Sequence, residues 1–178
     1  MARAFFLFIF IGTLLFSFRA ESVSLSEYQV KAAFLYNFAK FVEWPAEALP
    51  EGQPFVIGIL GQDPFGSLID EAVAGKTVHD RPIAVKRYPK VEEVAGANIL
   101  FISDSEGPNV SHILKRLDRA PILTVSDLGR FADEGGMVQL LVDQNRVRFA
   151  INVAAVEQAG LKPSSQLLKL ARIVGNPT

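Results

Sequence analysis

From Leu25 to Glu43 apolar residues recur at helical spacing, and at 100° per residue Tyr28, Val30, Ala32, Phe34, Leu35, Phe38, Ala39, Phe41 and Val42 fall within an arc of roughly 200°. Ser24 with Glu27 forms a capping-box signature at the start, and Pro45 stops the helix. Lys31 lies inside the apolar arc, where its methylenes can rest on the core while its ammonium reaches out. Phe34, Phe38, Phe41 and Trp44, at helical spacing, read as core, with an exposed docking stripe as the alternative. After Pro54 the pattern changes. The short runs Phe55 to Leu60, Ile83 to Tyr88, Asn98 to Ile102 and Ile122 to Ser126 predict strands, with helical stretches at Phe65 to Ala74 and Asn109 to Leu117. Strands alternating with helices predict a parallel α/β sheet. In the last third, Met137 to Val142 and Arg146 to Asn152 flank Asp143-Gln144-Asn145 and predict an antiparallel hairpin. Asn152 can cap a helix to Ala159, and Ser164 or Ser165 a last helix through Val174. The expected fold is α/β and Rossmann-like in three layers, a mostly parallel sheet ending in an antiparallel hairpin with helices on both faces.

Ahead of this body, Arg3 precedes fifteen uncharged residues, Ala4 to Phe18, rich in Phe, Leu and Ile. That is the pattern of an export signal, too short for the roughly 20 residues that span a membrane. Small residues at Ala20 and Ser22 predict cleavage after Ser22, with an uncleaved anchor as the alternative. Residues 1–22 are thus expected to be a signal peptide and 23–178 a single domain. Cleavage leaves 16 basic and 18 acidic residues, a net charge of −2. No overall basic surplus points to nucleic acid. The absence of cysteine excludes disulfides, lipoprotein attachment and zinc-thiolate sites.

Catalytic patterns are sparse. His79 and His112 are the only imidazoles and neither has a second histidine one helical turn away, so no metal site is expected. There is no G-x-S-x-G elbow, and Gly58, Gly61 and Gly66 do not have the spacing of a dinucleotide fingerprint or a P-loop. Gly58 is read as permitting tight packing of strand against helix, and Gly61 as ending the strand. Open α/β sheets bind ligands beyond the carboxyl ends of their strands. Those ends carry Gln62 and Asp63, then Ser103, Asp104, Ser105 and Glu106, then Ser126 and Asp127, which suit a cation or a hydroxyl-rich ligand better than a phosphate. The surplus of apolar surface on the first and last helices predicts association, with Phe41, Leu168 and Ile173 the candidate contacts.

Glu27-Tyr-Gln-Val-Lys-Ala-Ala-Phe-Leu-Tyr-Asn-Phe-Ala-Lys-Phe-Val-Glu-Trp-Pro45 resembles the opening of the YfiR family of exported bacterial regulators. Phe101-Ile-Ser, Ile122-Leu-Thr-Val-Ser-Asp127, Phe131-Ala, Gly135-Gly-Met137, Arg146-Val-Arg-Phe-Ala-Ile-Asn152, Gly160-Leu161 and Ser165-Gln-Leu-Leu-Lys-Leu-Ala171 resemble it in the same order, so Glu27 to Val174 is covered. The resemblance implies a periplasmic α/β protein, without catalytic residues or cofactor, that holds an inner-membrane diguanylate cyclase inactive through the cyclase's periplasmic sensor domain and so lowers cyclic di-GMP. It also implies an outer-membrane-anchored partner that can sequester the repressor, and homodimers. Relatives that carry cysteines differ from this chain on that point. The rival readings are a periplasmic small-molecule binding protein using the crevice at the strand ends, and a hydrolase with an unrecognised site.

Overall fold

The computed structural model describes residues 18–175, with side chains from residue 27 onward. Apart from Phe18, the apolar run expected to direct export lies outside them. The first helix, α1 (Phe18–Phe41), runs through Ser24 instead of starting there. Arg19, Ala20 and Glu21 are good helix formers and extend it N-terminally. It also stops earlier than expected, because Val42 and Glu43 form β1 (Val42–Glu43), which pairs antiparallel with β9 (Lys162–Pro163).

The main sheet is built from β2 (Phe55–Leu60), β3 (Thr77–Val78), β4 (Arg81–Tyr88), β5 (Ile99–Ile102), β6 (Leu123–Ser126), β7 (Val138–Asp143), β8 (Arg146–Asn152) and β10 (Arg172–Val174), in the order β10-β8-β7-β6-β5-β2-β4-β3. The strands from β4 across to β7 are mutually parallel, β8 runs antiparallel to β7, and β10 is parallel to β8. The α/β, mostly parallel architecture matches the expectation. Every residue of β2 and β5 is buried, which explains why these central strands read as continuous apolar runs without alternation.

The hairpin turns on Gln144 and Asn145, both at positive φ (47° and 60°), the two-residue geometry that matches strand twist. Phe149 and Ile151 point to one face and Arg146 and Arg148 to the other, as the alternation predicts, with Ala150 buried on that second face. The unpredicted β3 joins β4 through a similar turn at His79 and Asp80, too short a pair of runs to leave a sequence signal.

Helices α1, α2 (Leu68–Val73), α4 (Val153–Gln158) and α5 (Ser165–Leu170) pack on one face of the sheet, and α3 (Val110–Arg116) on the other. Asn152 and Ser164 cap α4 and α5 by accepting from the backbone N–H of Ala155 and Leu167. The last helix does not continue to Val174. Ala171 is extended, and the β-branched pair Ile173-Val174 supplies a strand that pairs with Ile151 and Asn152. Gly58 is also placed differently from the expectation. A Cβ there would lie 2.7 Å from Tyr88 and 2.9 Å from Leu100, so the glycine makes room for side chains of the two neighbouring strands and not for a helix.

Candidate functional site

The direction of winding reverses between β2 and β5, and the loops beyond their carboxyl ends meet there. The backbone N–H of Gln62 donates to Ser105 Oγ at 2.9 Å. Gly61, at φ +86°, lies so close that a Cβ would come within 2.5 Å of the same oxygen. Loop therefore packs on loop at this position. Asp63 accepts from the N–H of Phe65 and Gly66 through one oxygen and from Arg87 Nε at 2.9 Å through the other. Arg87 in turn binds Asp70 at 2.6 Å and the carbonyl of Gly66. Ser126 donates to the Ile102 carbonyl and accepts from the N–H of Leu128, while Glu106 accepts from Asn109. Ser103 is buried, with its backbone bonded to β2. These six residues are occupied in holding the turns.

Asp104 and Asp127 stand apart from them, on a cleft of about 300 Å³ between the first described side chains of α1 and β7. Here the structure corrects the expectation for Lys31. Its ammonium does not reach into solvent: the residue is 3% exposed, and Nζ lies 2.6 Å from Asp127 and 2.5 Å from Glu27. A charge this deeply buried persists only with opposite charges beside it, and both carboxylates supply them. Tyr28 donates from its hydroxyl to the same Asp127 oxygen at 3.0 Å. The Lys31 ammonium also sits 4.4 Å from the centre of the Tyr28 ring. The ring packs edge-on against Phe65, which does the same against Phe101 in β5. The cluster joins α1 to the end of β6 through charge and to the core through stacked rings.

Glu27, Tyr28 and Lys31 were not picked out as site residues from the sequence. The available signal was a lysine in an apolar arc, one helical turn after a glutamate. Among the described residues no group of three or more metal-ligating side chains is placed to hold an ion.

Burial, reinforced by the Asp127 carboxylate, pushes the Tyr28 phenol well above its ordinary value. The unfolded chain loses this proton near pH 10 while the folded chain retains it, so the contribution is intact below about pH 10 and declines above it. Urea midpoints measured between about pH 9 and pH 11 should fall more steeply for the unsubstituted protein than for Tyr28→Phe. The decline persists in part because burial also raises Tyr88. Parallel profiles for the two proteins would contradict this placement of Tyr28.

The candidate association residues are not part of this cleft. Phe41 is half-buried at the end of α1, where its carbonyl accepts from Ser164 N–H at the start of α5. Leu168, also half-buried, packs against the same core. Ile173 is 44% exposed on β10, and Leu170, not selected from the sequence, is 73% exposed.

Among models of known protein families, the one described as YfiR/HmsC-like matches residues 28–172 of the chain. A comparison with curated proteins gave no match.

Proposed function

Because the chain belongs to the YfiR/HmsC-like family, we propose that it is an exported, periplasmic regulator that binds the periplasmic sensor domain of an inner-membrane diguanylate cyclase and represses it. The family is regulatory in character and tied to cyclic di-GMP signalling. The observation that carries the proposal is the extent of the match, which takes in both faces of the sheet, α1 from Tyr28 onward and the whole of α2 to α5. On this reading residues 1–22 form a signal peptide removed before the domain folds, an outer-membrane-anchored protein can sequester the repressor, and the protein pairs with itself.

The exposed apolar side chains of Leu170 and Ile173, with Phe41 and Leu168 behind them, are the contacts we assign to partner binding. A few large side chains dominate the affinity of such surfaces. Leu170→Asp and Ile173→Asp are expected to leave the fold intact, since both side chains already face water. They should weaken repression, read as a rise in cellular cyclic di-GMP in a deletion strain complemented with each variant. Circular dichroism of the purified variants confirms the fold. If deletion of the gene leaves cyclic di-GMP unchanged and no membrane cyclase co-purifies with the tagged protein, the repressor reading fails. A melting shift induced by a small molecule with no partner present would then favour ligand binding at the cleft beside Lys31.

A further inference from the structure

The near-neutral total charge conceals an uneven distribution. Residues 1–143 carry 13 basic and 18 acidic side chains, whereas residues 144–178 carry five basic ones, Arg146, Arg148, Lys162, Lys169 and Arg172, against Glu157 alone. Three of the five are gathered by the sheet. Arg146 and Arg148 share a face of β8 with Ala150, and Ala150 pairs in register with Arg172 on β10; Asp143, opposite Arg146 on β7, is the one carboxylate that these three strands place there, so the face keeps a surplus of positive charge. All three arginines are exposed, and none forms an ion pair among the described residues.

Among the described residues no helix covers this face. The apolar cluster beneath α3 takes no residue from β7, β8 or β10. Only the segment at Ala132 reaches over, through bonds with Gln139 and Asn152 at the opposite end of the strands from Arg148. Half-buried Leu141, opposite Arg148, and half-buried Val174 add apolar surface to the arginines.

The two edges of the sheet are treated differently. On the β4 side, Pro82, Lys86, Arg87 and the short β3 blunt the edge. On the other side, among the described residues, β10 pairs only with β8 and its outer backbone groups have no strand beside them, and it contains no proline.

We infer that the β8–β10 face and its open edge dock an acidic protein surface, with Arg146, Arg148 and Arg172 taking its carboxylates. Arginine forms paired, planar hydrogen bonds to carboxylates, and positive charge on this face repels a second copy laid against it. Interspersed apolar side chains and an open strand edge suit a polypeptide better than lipid phosphates. The inference rests on the repressor reading and adds to the contacts at Leu170 and Ile173 a charged surface on the other face of β10 through which the sensor domain is also held.

The test uses the mature protein and its R148E/R172E variant, titrated onto the purified sensor domain of the cyclase at low and high salt. The unsubstituted protein should bind more weakly as salt rises from about 50 to about 300 mM. The variant should bind at least about tenfold more weakly, with a flatter salt dependence and an unchanged melting temperature. Equal binding by the two proteins overturns the surface while leaving the repressor reading standing. No binding by the unsubstituted protein overturns both. Two control measurements address other occupants: sedimentation with phosphatidylglycerol vesicles, and the oligomeric state by light scattering. A variant that loses vesicle binding or changes oligomeric state, yet holds the sensor domain normally, overturns the assignment in favour of lipid or of a second copy.

Discussion

Truncating Phe149 to alanine is expected to cost about 3–5 kcal/mol of folding stability, the range for removing an aromatic ring from a close-packed core. The ring is 4% exposed on β8, opposite Leu140, with the rings of Phe34 and Phe38 of α1 centred 5.5 and 5.2 Å away. Helix and strand meet there, so surrounding side chains cannot collapse into the space without moving α1. Phe149→Leu keeps most of the volume and should cost less than about 1.5 kcal/mol. Urea unfolding with a common slope measures both changes. An alanine variant as stable as the parent would place Phe149 outside the core and shift the register of the hairpin.

Asp127→Ala is expected to cost about 3 kcal/mol, even though it removes only one carboxylate. Lys31 would remain buried with Glu27 as its remaining carboxylate, and the Glu27 side chain is 30% exposed. The hydroxyl of Tyr28 would lose its acceptor as well. Replacing both members of the pair by apolar residues, as in Lys31→Met with Asp127→Leu, should recover most of the loss, since no charge then stays buried. A double-mutant cycle on these positions gives the coupling directly. A loss below about 1 kcal/mol for Asp127→Ala would show that water reaches the ammonium.

Features decided by neighbours in sequence were legible before the structure. The runs of β2 and β5 are apolar because both faces are covered, and the caps at Asn152 and Ser164 follow from oxygens placed where helix N–H groups lack partners. Features decided across the chain were not. Leu167 to Val174 is apolar enough to continue a helix, and only the vacant edge of β8 makes Arg172–Val174 a strand. Ser24 has the form of a cap, but the residues before it propagate the helix through it.

The candidate site follows the same division. Placing Asp104 and Asp127 beyond strand ends required only the strand pattern, whereas joining Asp127 to Lys31 required knowing that α1 crosses the end of β6. The basic face was hidden for a further reason. Whole-chain charge averages over surfaces, and the arginines of β8 and β10 become one patch only once those strands are adjacent.

The first described helix packs on α2 early in the chain and is secured as well by residues that come late in it. Lys31 and Asp127 are 96 residues apart in sequence, Phe34 and Phe38 rest on Phe149, and Val42 pairs with Pro163. Loops this long must close before these contacts repay their entropy, which gives the domain a high contact order and slow, all-or-none folding. A chain still lacking its last third therefore offers α1 only the part of its native seat that α2 and Phe65 supply. That seat is complete only once β8 and β9 have been made.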